Sequence, residues 1–149
     1  MRTLKKVALV GILSALFALP AAAETIVAYE VATRVVFTGT GAPGSTITVI
    51  ATLSNPANHA QTIGSKNEWC IIAGYNQYGP YLWCNESIVI NGRGSLFSSG
   101  YISQTLLEAY VPQTIAITGG GGQFAGKTGT QTIQQVVFPA EFLLTMVVN

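Results

Sequence analysis

Four residues near the end of this 149-residue chain could do phosphate chemistry. Gly121, Gly126, Lys127 and Thr128 satisfy G-x-x-x-x-G-K-[ST], in which backbone N–H groups and the N-terminus of a following helix cradle phosphate. The exit from the motif argues against that use. The run 128–137 is rich in β-branched residues, carries Gly129 where a first helical turn would lie, and meets Pro139 soon after. Phosphoryl transfer also calls for a magnesium-holding Asp, and the chain contains no Asp. Gly119 to Gly122 therefore read as a turn between two strands, where glycine supplies positive φ and lets backbones cross closely.

The other chemistry-bearing residues are few. The single His59 has no His or Cys at metal-ligand spacing and falls in the polar run Asn55-Pro56-Ala57-Asn58-His59, so a solvated loop histidine is expected and no metal site. A Ser-His-Asp triad is excluded by the lack of Asp, and no G-x-S-x-G elbow supports a Ser-His-Glu one. Cys70 and Cys84 lie in two β-rich runs, 68–75 and 81–90, joined by a turn over Asn76–Pro80. A hairpin centred on Gln77 sets the two cysteines directly opposite each other, near the separation a disulfide requires. A loop of that size stabilises by about 3 kcal/mol on the chain-entropy model. Once oxidised, Cys70 is no nucleophile.

The elements that must position these residues are strands. The basic Arg2, Lys5 and Lys6, the apolar Val7–Leu19 and the small Ala21-Ala22-Ala23 read as a secretory signal cut after Ala23, the alternative being a retained anchor; the apolar run is short for a bilayer span. Residues 24–149 then form one domain, secreted or periplasmic, with no membrane role after cleavage. An exported chain with two cysteines also favours the disulfide. Four basic residues face six Glu in that domain, so no basic surface for nucleic acid is expected. Charged residues make only 9% of the chain and apolar ones 49%, which points to a lined cavity, an oligomer interface, or both.

No stretch keeps a period of 3.6. Strand-like runs separated by Gly, Pro, Asn and Ser predict an all-β fold, with strands at 25–36, 46–53, 68–75, 81–90, 95–102, 113–118, 128–137 and 142–148 and a short helical turn within 104–111. Eight strands close a small antiparallel β-barrel that holds side chains or one small ligand. On the last strand Phe142, Leu144, Met146 and Val148 share one face and Leu143 and Val147 the other; both are apolar, so a second subunit is expected over one of them.

The segment Ile117-Thr118-Gly119-Gly120-Gly121-Gly122-Gln123-Phe124-Ala125-Gly126, continued by Gln134 to Pro139 and Phe142 to Thr145, resembles the "TGG-x-G-x-F-x-G" strand–turn and last strands of the allene oxide cyclase barrel, shared in looser form by dirigent proteins. Shorter similarities lie upstream. Tyr29-Glu30-Val31 is similar to the family's "Y-E-I-N", with Ala32 in place of its Asn; Leu53-Ser54-Asn55-Pro56 is similar to "F-x-N-P"; Gly64 with Cys70 is similar to "G-I-T-A-G-L-C"; Gly100-Tyr101-Ile102 is similar to "G-P-Y-L" less one residue.

The resemblance implies an eight-stranded calycin-like barrel, trimeric as family members are, acting on an apolar small molecule with no cofactor and no metal. It makes Glu30 and Tyr101 the catalytic residues and places Asn55, Cys70, Phe124 and Phe142 on the substrate. A Glu30 carboxyl pointing into an apolar barrel would have a raised pKa and could exchange a proton. Asn55 could fix a water or carbonyl, Tyr101 could offer a hydroxyl and an aromatic face, and the walls would hold an unsaturated substrate folded for ring closure. The expected function is cyclisation, isomerisation or stereoselective coupling; the alternative is a non-catalytic ligand carrier or interaction protein on the same barrel. Ala32 and an oxidised Cys70 argue against allene oxide cyclase activity itself.

Overall fold

The structure, a computed structural model, describes residues 22–149, so the expected export leader lies almost wholly outside the described residues. Eight strands run in chain order: β1 (Glu24–Thr38), β2 (Thr46–Asn55), β3 (Asn58–Asn76), β4 (Gly79–Ile90), β5 (Gly94–Ser103), β6 (Gln113–Gly122), β7 (Gly129–Val137) and β8 (Glu141–Val148), with one short helix, α1 (Gln104–Glu108), between β5 and β6. Each strand pairs antiparallel with the next and β8 pairs with β1, so the sheet closes into a barrel. This is the expected architecture, and closure removes the open edges that a sheet of this size would otherwise expose.

Strand alternation sorts the side chains. Ile26, Ala28 and Glu30 of β1 turn inward, as do Lys66, Glu68, Cys70 and Ile72 of β3 and Leu82, Cys84, Glu86, Ile88 and Ile90 of β4. Toward the β1 start, Ile26, Leu53, Ile88, Leu96, Met146 and Val148 pack into a continuous apolar core. Phe124 plugs that end: it is buried beneath Arg93, whose guanidinium lies 4.8 Å from the ring centroid and donates to both Glu24 carboxylate oxygens at 2.6 Å. Gly120 makes the plug possible, because a Cβ there would stand 2.6 Å from the Ser95 carbonyl oxygen and 2.7 Å from Phe124 Cβ. The opposite end stays open between α1 and the Phe138–Pro139 turn.

Several expectations change in detail. The glycine run does not form the turn; it completes β6, and the turn is Gln123–Gly126, with positive φ at Gly122 and Gly126. Residues after Thr128 form β7, not a helix, which disposes of the phosphate-loop reading. β3 begins ten residues earlier than expected, because 58–67 is a polar stretch whose outward positions face solvent. His59 therefore sits on a strand, exposed, with its ring stacked on Tyr29 at 3.8 Å.

The disulfide forms between Cys70 and Cys84, directly paired across β3 and β4. The turn itself is Gln77-Tyr78, half a residue off the expected centre. A bulge between Ile72 and Gly74 offsets the register by one and restores Cys70 opposite Cys84.

Candidate active site

The open half of the barrel contains a cavity of 270 Å³. Its walls are apolar, from Ile47, Val49, Leu82, Ile102, Ile133 and Phe142, and α1 leans over its mouth through Leu107. Ser103 caps α1, its hydroxyl accepting from the Leu106 N–H, which fixes the helix at the rim. Lys66, Glu68, Cys70 and Gln135 also line it, and Gln104 and Glu108 of α1 do so at the rim.

Lys66 is the hub of a buried ion cluster. Its ammonium donates to Glu68 Oε2 at 2.8 Å, lies 2.8 Å from Glu30 Oε1 in an ion pair too oblique for a directed hydrogen bond, and lies 3.7 Å from Glu86 Oε1. Glu30 reaches Lys66 across β2, where the paired residue is the small Ala51. Behind Glu86 the network continues: Gln131 Nε2 donates to Glu86 Oε2, and Ser98 Oγ donates to Gln131 Oε1 at 2.6 Å. Every member of this belt except Glu68 is nearly or wholly buried.

One cation faces two buried carboxyls, Glu30 and Glu86, and a third, half-buried one, Glu68. Burial pushes the Glu86 carboxyl up to about 8, against the pull of Lys66 and with the repulsion of Glu68 and Glu30 adding to it. Burial likewise raises Glu30, only partly opposed by Lys66. Burial would lower Lys66, but the three carboxyls outweigh it and hold the ammonium well above its usual value. At neutral pH Glu86 thus carries a proton and Lys66 stays cationic. Lys66 is accordingly no amine nucleophile.

Glu68 Oε1 lies 2.9 Å from Cys70 Sγ. That sulfur is in a disulfide and has no proton, so the contact is a carboxylate oxygen against a half-cystine and not a hydrogen bond. Glu68, Cys70 and Cys84 stand close enough together to suggest metal ligands, but the two sulfurs are already bonded to each other and offer no thiolate.

The expected site residues divide. Glu30 turns inward and is 1% exposed, yet it stands behind Lys66 and does not line the cavity. Cys70 and Phe142 line the cavity, Cys70 as half of the disulfide. Tyr101 does not: it lies on the outer face, 60% exposed, edge-on to Trp83 and Tyr81. Strand parity explains the correction, since Ile102 takes the inward position and its neighbour must point out. Asn55 is also outside the cavity. Its side chain accepts from the Ala57 N–H and donates to Gln61, closing the β2–β3 turn. Phe124 belongs to the plug at the opposite end.

Lys66, Glu68, Glu86, Gln131 and Gln135 belong to no motif in the sequence. The available signal was phase: 66 and 68 alternate in step with Cys70 and Ile72, 86 with Cys84 and Ile88, and 131 and 135 with Ile133.

A family model described as the allene oxide cyclase barrel like domain matches residues 58–148. Among solved structures the fold is similar to pyocyanin demethylase, at a TM-score of 0.71 and 22% identity over 85% of this chain and 100% of that one. It is similar to the exo-specific intermolecular Diels-Alderase AbnU, at 0.72 and 12% over 86% and 98%. It is also similar to the pterocarpan synthase dirigent protein GePTS1, at 0.67 and 14% over 85% and 84%. At these identities the likeness is one of fold. No curated protein matches the sequence.

Proposed function

Because the chain belongs to the allene oxide cyclase barrel-like domain family, we propose that it steers the cyclisation, isomerisation or coupling of an apolar small molecule, without a cofactor, in a secreted or periplasmic setting. One observation carries this reading: an apolar cavity ends on a cation and a carboxylate, Lys66 and Glu68, that are held together by buried partners. The names of the structural neighbours, a Diels-Alderase and a dirigent pterocarpan synthase among them, support the same class of chemistry.

The apolar walls hold an unsaturated ligand in one folded conformer, which removes the entropic part of a ring-closing barrier. Glu68 is the acid–base group: of the two carboxylates that line the cavity it is the one joined to the ion cluster, Glu108 being exposed on α1. In an isomerisation it takes a proton from carbon beside a carbonyl and, as the acid, returns it at the far end of the conjugated system, so atoms and charge balance. A cycloaddition needs no proton transfer, and the same site then contributes shape and field alone. Lys66 holds the Glu68 carboxylate in place at the cavity wall. Export is supported by the order of residues 2–23 and by the disulfide, which persists in oxidising compartments. Self-association, as a trimer, is supported by an apolar outer strip of Val27, Val31, Leu143 and Val147 along β1 and β8.

The test is mass-conserving turnover. An organic extract of the producing cells is incubated with the protein and resolved by liquid chromatography–mass spectrometry. Features that keep their mass and change retention with wild type, but not with heat-denatured protein, identify substrate and product of an isomerase or cyclase, and their loss in Glu68→Gln assigns a proton transfer; paired features that merge into one summed mass identify coupling. Compounds that bind and return unchanged in both proteins identify a carrier and overturn catalysis.

A further inference from the structure

We propose that the outer face of β3, β4 and β5 carries a second binding site, a groove that takes a neutral glycan chain of gluco configuration. The site is separate from the cavity and does not rest on any reading of that cavity.

The groove has a volume of 420 Å³ and runs over β4. Its floor is a square of four outward side chains: Asn67 of β3 pairs with Ser87 of β4, and Asn85 of β4 pairs with Ser99 of β5. Aromatic rings stand at two diagonal corners. Trp69 lies across from Asn85 and Phe97 across from Ser87, and they are 42% and 46% exposed. Two strand spacings and two residues of rise set their Cα atoms about 12 Å apart. A pyranose of gluco configuration turns axial C–H groups toward an aromatic ring and carries its hydroxyls at the rim. The corners therefore suit its faces, and the floor suits its hydroxyls. Thr33 and Thr114, on other strands, bond to the protein, whereas the four floor side chains have no protein partner among the described residues.

Charge narrows the occupant. From Ser65 to Ala73 on β3, Tyr81 to Val89 on β4 and Ser95 to Tyr101 on β5, no outward position is charged. A nucleic acid, a charged peptide or an anionic membrane finds nothing to pair with there. A second copy of the chain would bury the floor amides and would have to match each of them. The apolar strip of Val27, Val31, Leu143 and Val147 lies across the barrel, on β1 and β8. A neutral polyol answers amide and hydroxyl with its own hydroxyls. The register pair next to Trp69 and Asn85 is the Cys70–Cys84 bridge, so the floor is held rigid before anything binds.

Both tryptophans of the chain, Trp69 and Trp83, stand on this face, so intrinsic fluorescence reports on it. Cellohexaose and chitohexaose are titrated into the disulfide-intact protein and followed by tryptophan emission and by saturation-transfer NMR of the sugar C–H protons. At least one of them is expected to bind, with saturation passing from aromatic protons to the sugar. Trp69→Ala and Phe97→Ala should each weaken binding about tenfold, and Trp69→Phe, which keeps an aromatic face, should lose less. Failure of both sugars to bind wild type at millimolar concentration overturns the proposal. Binding that survives Trp69→Ala and Phe97→Ala also overturns it, because the sugar then sits elsewhere. So does sedimentation in which Trp69→Glu turns an oligomer into a monomer, which gives the face to a second copy. Should an alanine variant not fold, which its melting curve would reveal, the wild-type NMR decides: saturation from aromatic protons upholds the site and its absence removes it.

Discussion

Glu68 and Glu86 are directly paired residues on neighbouring strands, both facing into the barrel. Like charges at such positions repel, and here they stand in a low-dielectric interior. The pair is held by Lys66, two positions before Glu68 on the same face of β3, and by the proton on Glu86. This local conflict is kept next to the cavity, where a group that readily exchanges a proton is useful.

Stability should fall as pH rises through neutrality. The unfolded chain releases the Glu86 proton near 4.5 and the folded chain near 8, so between these values the folded state binds the extra proton. Stability is then highest on the acid side of the window and declines as pH rises through it, by an amount on the order of a few kcal/mol. Glu30, also raised, adds to the same slope. Thermal melting at pH 5.5 and 8.5 measures the effect, and Glu86→Gln should flatten the dependence while keeping the acceptor for Gln131.

Lys66→Met should destabilise by about 3–5 kcal/mol near pH 8, because it leaves three carboxyls facing one another with no cation. The loss should shrink at pH 5, where the carboxyls take up protons. Urea midpoints at the two pH values give the comparison. An equal loss at both would mean that packing of the lysine stem, and not its charge, is what the barrel needs.

Removing the disulfide by Cys70→Ala with Cys84→Ala should lower stability by about 3 kcal/mol, as expected for a loop closed over a separation of 14 residues. It should also change ligand affinity, since Cys70 forms part of the cavity wall. Melting curves with and without a thiol reductant, on wild type and the double variant, separate bridge from side chain.

The two phenylalanines once expected together on the ligand should behave oppositely. Phe124→Ala should cost about 3–5 kcal/mol of stability and leave binding of an apolar probe such as trans-stilbene within about twofold, since Phe124 plugs the far end. Phe142→Ala should weaken binding more than it weakens the fold, since its side chain faces the cavity.

The barrel was legible because its signals are local: alternation, turn residues and the segment from Ile117 to Thr145 all act within a few residues of one another. The cysteine pairing was legible for the same reason, even though a bulge moved the turn. The ion cluster was not. Glu30 and Lys66 lie on strands separated by β2, and Gln131 meets Glu86 from the other side of the barrel. No spacing along the chain encodes those meetings; strand register sets the first and the curvature of the barrel the second. At Tyr101 motif likeness and strand parity disagree, and parity puts its ring outside.

The seam of the barrel joins Glu24 of β1 to Val148 of β8. The strand made earliest in the wall thus finds its second neighbour only when the strand made latest is available. Until then the growing sheet has two unpaired rims, and its interior carboxyls have access to water. Assembly of this wall is therefore a late event that follows synthesis of β8, and a chain drawn through a membrane unfolded would lose nothing by the delay.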